Sequence, residues 1–250
     1  MDDALIIAAA GLLAGGMNAL AGGGSFVTLP ALLATGTPSI AANATSTVAL
    51  WPGGLASAVV YRDGLRPIAG IDVRKMLVIT IAGGAIGAGL LLYTPERLFD
   101  RLLPWLALWA TLALALAPRI GPWMQARLGP RGRPLLLAGQ LLLGIYGGYY
   151  GGAVGLMMTA LWSLIDGSDI KALAGARVVM GTAANAAAIA CFALAGIVQW
   201  ETALLLGGGA LAGGYAGARL GRILPPAVIR QATLALCAAI TLSFFFRAYF

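Results

Sequence analysis

Residues 4–61 read ALIIAAAGLLAGGMNALAGGGSFVTLPALLATGTPSIAANATSTVALWPGGLASAVVY, 58 positions without one charged side chain. A helix crosses the hydrocarbon core of a bilayer in about 20 residues, so this run holds more than one crossing. A second uncharged run, 134–165, extends over 32 positions. Both are apolar on every face and lack the period-2 alternation of membrane β-strands, which predicts an all-α polytopic membrane protein. Composition agrees, since 60% of the 250 residues are hydrophobic, 10% are charged and none is His. Soluble domains carry about 25% charged residues. A soluble enzyme, a disordered chain and a collagen-like repeat are therefore excluded. The lack of imidazole removes His-ligated metals and Ser/His/Asp triads.

Ten apolar segments are expected, at 4–20, 26–36, 40–61, 73–93, 98–118, 134–150, 154–166, 170–197, 202–219 and 227–247. Two are short, 26–36 and 154–166, and each follows a glycine cluster: Gly22-Gly23-Gly24-Ser25 and Gly151-Gly152-Ala153-Val154-Gly155. Short, Gly-interrupted segments in matching places point to a transporter built from two repeats. At an offset of 129, Leu12-Leu13 falls on Leu141-Leu142, Gly15 on Gly144 and Gly22-Gly23 on Gly151-Gly152. At an offset of 125, Gly83-Gly84-Ala85-Ile86 falls on Gly208-Gly209-Ala210-Leu211. These matches predict an N-terminal repeat over 1–120, a basic cytoplasmic connector over 121–133 and a C-terminal repeat over 134–250.

Loop charge gives an orientation. Arg62, Arg66, Arg74 and Lys75, then Arg119, Arg127, Arg131 and Arg133, then Arg219 and Arg222 mark three basic loops. All three are expected in the cytoplasm, with the acidic N-terminus and Glu201 outside; Arg247, near the outer C-terminus, dissents. The scheme is consistent only if each half is a broken, re-entrant helical hairpin plus three crossings. That count is odd, so the halves are inverted relative to each other. Asp2 and Asp3, with no basic residue before the first apolar stretch, favour a retained helix over a cleaved signal. The net charge of +7 is accounted for by these loops and predicts no nucleic-acid partner. Cys191 and Cys237 sit inside apolar segments and read as small hydrophobes.

The chemistry is expected at the two bends. A backbone break at membrane depth is tolerated only inside protein or against a wet cavity. Glycines at 22, 23, 24, 151 and 152, with Ser25, let backbone N–H groups approach a ligand, and the following helix N-terminus favours an anion. The clusters at Gly83 and Gly208 read instead as close helix packing. Arg177 lies about 10 Å inside segment 170–197. It is read as an anion-binding cation, with snorkelling to headgroups as the alternative. Asn185 continues its stripe, and Asn18, Asn43, Thr45, Ser46 and Thr47 complete a polar cage in which Asn43 and Thr47 share a helix face. Pro52 predicts a kink in segment 40–61. No Asp or Glu lies in the interior of a segment, Asp100 and Asp166 being at segment ends, so no metal, cofactor or carboxylate proton relay is expected, and no enzyme.

The stretch Met17-Asn18-Ala19-Leu20-Ala21-Gly22-Gly23-Gly24-Ser25-Phe26, with Pro30-Ala31-Leu32-Leu33 and Ala41-Ala42-Asn43-Ala44-Thr45-Ser46-Thr47, resembles the TauE/SafE family of sulfite exporters. Gly147-Gly148-Tyr149-Tyr150-Gly151 and Gly213-Gly214-Tyr215-Ala216-Gly217 are similar to its second half. Ala153-Val154 interrupt the fuller glycine run of the family, and Arg177 stands where relatives often carry Lys. The resemblance implies a permease of the bacterial cytoplasmic (inner) membrane that exports a small sulfur oxyanion. A permease for a sulfonate or carboxylate is the alternative, and a non-transporting membrane subunit a third reading. A small anion and the lipid bilayer are the expected partners, with homo-oligomerisation left open.

Overall fold

The computed structural model describes residues 2–61, 65–128, 132–152, 154–166, 173–220 and 223–250. They form ten helices among the described residues: α1 (Asp2–Ala21), α2 (Ser25–Ala34), α3 (Ser39–Tyr61), α4 (Val73–Tyr93), α5 (Glu96–Leu128), α6 (Arg133–Tyr149), α7 (Val154–Asp166), α8 (Ala174–Leu194), α9 (Trp200–Leu220) and α10 (Pro226–Tyr249). Five contain stretches long and apolar enough to cross a membrane: Asp3–Leu20, Val73–Tyr93, Glu96–Leu116, Gly175–Leu194 and Ala227–Tyr249. The chain is an all-α, multi-pass membrane protein. Val78, Leu90, Trp109, Leu142, Leu204 and Phe246 are exposed, as lipid-facing side chains must be in a bundle whose solvent is hydrocarbon.

Connections and cross-links define the two ends of the bundle. At the first end, the Arg133 side-chain Nε at the start of α6 donates to the Ala69 carbonyl just before α4, at 3.0 Å. Arg230 at the start of α10 reaches the Ala115 carbonyl late in α5. Exposed Arg66, Arg74, Lys75 and Arg219 also lie there, so this is the basic end. At the opposite end, Glu96 accepts from the Ser39 hydroxyl at 2.8 Å and the Ile40 N–H at 2.9 Å, capping α3. Gln199 there donates its N–H to Thr45 Oγ1 at 3.1 Å.

Glycine seams fix the helix directions. A Cβ on Gly15 would fall on the Ala210 carbonyl oxygen, one on Gly213 on that of Leu12, and one on Gly217 would lie 2.6 Å from Gly16 Cα. α1 and α9 thus run parallel in backbone contact. Gly83, Gly87 and Gly148 do the same for α4 and α6, with a Cβ on Gly83 2.8 Å from the Leu141 oxygen. Small residues let membrane helices approach closely enough for dispersion to hold them. α4 and α6 run away from the basic end, whereas α1 and α9 run toward it. The expectation of close packing near Gly83 holds; near Gly208 it holds for Gly209, while a Cβ on Gly208 itself would meet nothing within 4 Å. Besides these seams, α3 packs on α8 and α9, α4 on α8, and α5 on α10 and α7.

One expectation requires correction. The connector expected from residue 121 is helical as far as Leu128, so α5 runs 33 residues. At 1.5 Å per residue that is about 50 Å, well beyond the hydrocarbon thickness. Helix continues because residues 123–128, WMQARL, are good helix formers whose backbone bonds cost nothing extra at the water interface. α3 passes through Pro52 as one 23-residue helix. Arg62, Asp63, Arg131, Ala153, Ile170 and Arg222 lie outside the described residues. Cys191 and Cys237 are free thiols, the latter buried.

Replacing Gly15 or Gly213 by Leu forces the α1–α9 backbones apart. Such overpacking costs about 3 kcal/mol, expected as a fall of about 5–10 °C in thermal unfolding of the detergent-purified protein. Gly89→Ala, where a Cβ meets nothing within 4 Å, leaves the midpoint unchanged.

Candidate functional site

Both sequence bends are real breaks with the same backbone signature. Gly22, between α1 and α2, has φ +74°, and Gly151, between α6 and α7, has φ +75°. L side chains avoid that region by roughly 1–2 kcal/mol, so glycine is needed for the turn at each. α2 has only 10 residues. It rises about 15 Å, which leaves its N-terminus near half the depth of the hydrocarbon core.

The two bends open onto one cavity of about 450 Å³. Its wall includes Asn18, Gly22 and Ser25 from the first bend, Ser46, Thr47, Trp51 and Gly54 from α3, and Gly151, Val154 and Gly155 from the second bend. α8 contributes Arg177, Gly181, Thr182 and Asn185, and α9 contributes Ala210, Leu211, Gly214 and Tyr215. These are the middle of α3, the first half of α8 and the second half of α9, so the cavity extends from the bends toward the basic end. The opposite side is closed by Phe26, Leu29, Leu32, Leu91, Phe99, Tyr150 and Phe192, each at most 1% exposed.

Of the residues expected at the site, Asn18, Gly22, Ser25, Thr47, Gly151, Arg177 and Asn185 line this cavity, whereas Gly23, Gly24, Asn43, Thr45 and Gly152 do not. A Cβ on Gly24 would sit 2.7 Å from the Ala14 oxygen, and one on Gly152 would enter the Tyr150 ring, so both serve close packing. Asn43 donates its side-chain amide to the Tyr149 carbonyl at 3.1 Å, holding the end of α6 where its helix stops. Thr45 ties α3 to Gln199. Thr47 lines the cavity but donates its hydroxyl to the Asn43 carbonyl at 2.8 Å, so its lone pairs rather than its proton face outward. Asn18 and Ser25 side chains make no hydrogen bond among the described residues and are available to a solute.

Arg177 differs from the expectation in depth. α8 begins at Ala174 after Leu173, so Arg177 occupies the first helical turn, and its N–H bonds the Leu173 carbonyl at 2.9 Å. Its guanidinium therefore adds to the positive end of α8. Gly155 makes room for it: a Cβ there would lie 2.9 Å from Arg177 Cγ. Gly181 and Asn185 follow on the same face.

Sequence reading missed a buried polar cluster beside the site. Gln140 donates to Thr80 Oγ1 at 2.7 Å and accepts from Trp162 Nε1 at 2.8 Å, while Thr80 donates to the Met76 carbonyl. Gln140, Thr80 and Trp162 are fully buried. A satisfied network of this kind joins α4, α6 and α7 in fixed register. Gln140 was visible as an amide in an apolar segment, but only the fold brings its partners to it.

The profile of the family described as Sulfite exporter TauE/SafE matches residues 7–244. A probable membrane transporter protein of Haemophilus influenzae is 30% identical over 88% of this chain and 86% of its own length. The Escherichia coli K12 probable membrane transporter protein YfcA is 30% identical over 84% of this chain and 76% of its own length. A probable membrane transporter protein of a Sinorhizobium species is 29% identical over 84% and 80%. No solved structure matches. The chain belongs to the TauE/SafE family.

Gly22→Ala and Gly151→Ala each place a side chain at positive φ and are expected to lower stability by about 1–2 kcal/mol in thermal or denaturant unfolding. Asn tolerates this region better than Ala, so Gly22→Asn recovers part of the loss. Gln140→Leu strands the Trp162 indole N–H and costs about 1–3 kcal/mol.

Proposed function

We propose that this TauE/SafE family member exports a small sulfur oxyanion of the sulfite type across the cytoplasmic membrane. The observation that carries this reading is the single cavity onto which both positive-φ bends and Arg177 open. In it the anion meets the Arg177 guanidinium, the amide of Asn18, the hydroxyl of Ser25 and the N-terminal turns that follow the bends. Charge-assisted hydrogen bonds of this type contribute about 1.5–3 kcal/mol each. Among the described residues, no Asp or Glu lines the wall to oppose an anion. The protein acts as a carrier rather than an enzyme, the solute leaving chemically unchanged.

Two inverted halves account for the carrier action. Exchanging α1 with α6, α2 with α7, α3 with α8, α4 with α9 and α5 with α10 carries the main helix pairings onto one another: α1–α9 onto α6–α4, and α3–α9 onto α8–α4. The equivalent helices α1 and α6 run in opposite directions, as do α4 and α9. These relations support repeats over 1–120 and 134–250 of inverted sense. In a carrier of two inverted halves, exchanging the conformations of the halves moves access to the opposite end. With the basic end in the cytoplasm, this conformation faces inward and the N-terminus lies outside. An interior-negative membrane drives an anion outward by about 2.3 kcal/mol per charge per 100 mV.

A second reading follows from the size and wall of the cavity. About 450 Å³ exceeds what a four-heavy-atom oxyanion fills, and Leu50, Trp51, Val178 and Tyr215 add apolar surface. An organic sulfonate or carboxylate with a short apolar body also suits it.

Arg177→Ala is expected to reduce sulfite efflux from proteoliposomes by about 10–100-fold while leaving the protein folded, with Arg177→Lys intermediate. Normal efflux from folded Arg177→Ala protein removes that residue from the site. A panel of sulfite, short sulfonates and carboxylates in the same assay separates the two substrate readings, and no flux from purified protein with any of them supports a non-transporting subunit.

A further inference from the structure

A second cavity, of about 220 Å³, lies between the start of α5 and the end of α10, at the end opposite the basic loops. Arg97, Arg101 and Arg247 line it with a single carboxylate, Asp100. Three guanidinium groups against one acid leave a net charge of +2. None of the four side chains makes an ion pair or hydrogen bond among the described residues. This arrangement works against the fold as it stands. Arg97 and Arg101 are four apart on one helix face, where like charges repel. They also occupy the N-terminal turns of α5, whose positive end disfavours cations. Arg247 alone has a favourable place, in the last turn of α10. The charge rule for loops gives no reason for three arginines at this end either.

An anion in the cavity resolves the conflict, and the surroundings state where it comes from. Directly below, Trp105 donates its indole N–H to Tyr249 Oη at 2.9 Å, and the Phe245 ring lies 5.2 Å from that of Trp105, edge-on. Trp105, Trp109 and Phe246 are more than half exposed, so an apolar face continues from the charged cluster down the membrane-facing side of α5 and α10. Indole and phenol groups of this kind settle at the headgroup level of a bilayer. Charged head above, apolar track below is the outline of a phospholipid. Basic pockets between membrane helices take anionic lipid headgroups, and Asp100 is placed to accept from a headgroup hydroxyl.

We propose that Arg97, Arg101 and Arg247 form a binding site for the phosphodiester of an anionic phospholipid whose headgroup carries a hydroxyl donor, with an acyl chain lying along Trp105 and Trp109. The lipid ties the first turns of α5 to the last turn of α10. The site is separate from the solute cavity, with which it shares no lining residue.

The test compares thermal unfolding in nanodiscs of phosphatidylcholine with nanodiscs that also contain phosphatidylglycerol. Phosphatidylglycerol is expected to raise the midpoint by about 4 °C or more. The Arg101→Gln/Arg247→Gln variant loses at least half of that rise, while Arg66→Gln, at the basic end, keeps it. Should the double variant fail to fold, Arg97→Gln and the phosphatidylglycerol adducts retained by wild-type protein in native mass spectrometry carry the same readout. A full rise in the folded double variant, or no retained adduct, overturns the proposal. An equal rise from millimolar inorganic phosphate in phosphatidylcholine nanodiscs overturns the lipid assignment in favour of a soluble phosphate.

Discussion

A helix that stops in the middle of a bilayer leaves N–H and C=O groups that hydrocarbon cannot satisfy, at several kcal/mol per group. That constraint governs the whole molecule. Both breaks must be wrapped in protein, and the wrapping is done by α3 and α8, the two helices that pass between them. Asn43 on α3 meets the carbonyl where α6 ends, and Phe26 and Tyr150 pack edge-on over the far side of the bends, their ring centres 6.4 Å apart. What stays uncovered faces a polar cavity rather than lipid. A protected patch of backbone with a helix-end positive potential and one guanidinium is what a dehydrating anion requires in exchange for its water.

The glycine seams determine what can move. Each joins a helix before the midpoint of the chain to one after it: α1 to α9, and α4 to α6. Neither half therefore encloses its own core, and each long arm of a hairpin is held by backbone contact to a helix of the other half. Because a methyl group does not fit in these seams, they act as rigid joints rather than sliding surfaces. Rearrangement is left to the contacts of α3 and α8 with the seam pairs. Those contacts contain the cavity on one side of the bends and the closed apolar layer on the other.

Charge-free runs made the helices legible, because a membrane admits few alternatives for twenty apolar residues. The bends were legible from glycine clusters followed by short segments, and their positive φ at Gly22 and Gly151 bears this out. Boundaries failed where the membrane stops constraining the chain. α5 continues to Leu128 because water, not lipid, surrounds its end. Arg177 proved to be in the first turn of α8, which begins at Ala174. Which polar residues face inward was the least legible feature. Neighbours on a helix are rotated by about 100°, so adjacent residues such as Thr45 and Ser46 on α3 face different surroundings. Only the packing of α3, α8 and α9 decides which surrounding is the cavity. Trp51, Thr182 and the Gln140 cluster escaped for that reason.

The most direct measurement is a cryo-electron microscopy map of the protein in a lipid nanodisc with selenite, an electron-rich analogue of sulfite. Density for the oxyanion is expected between Gly22 and Gly151, within hydrogen-bond reach of the Arg177 guanidinium and the Asn18 amide, and lost in Arg177→Ala. A saturated sample with that cavity vacant, or with the anion bound only elsewhere, contradicts the account.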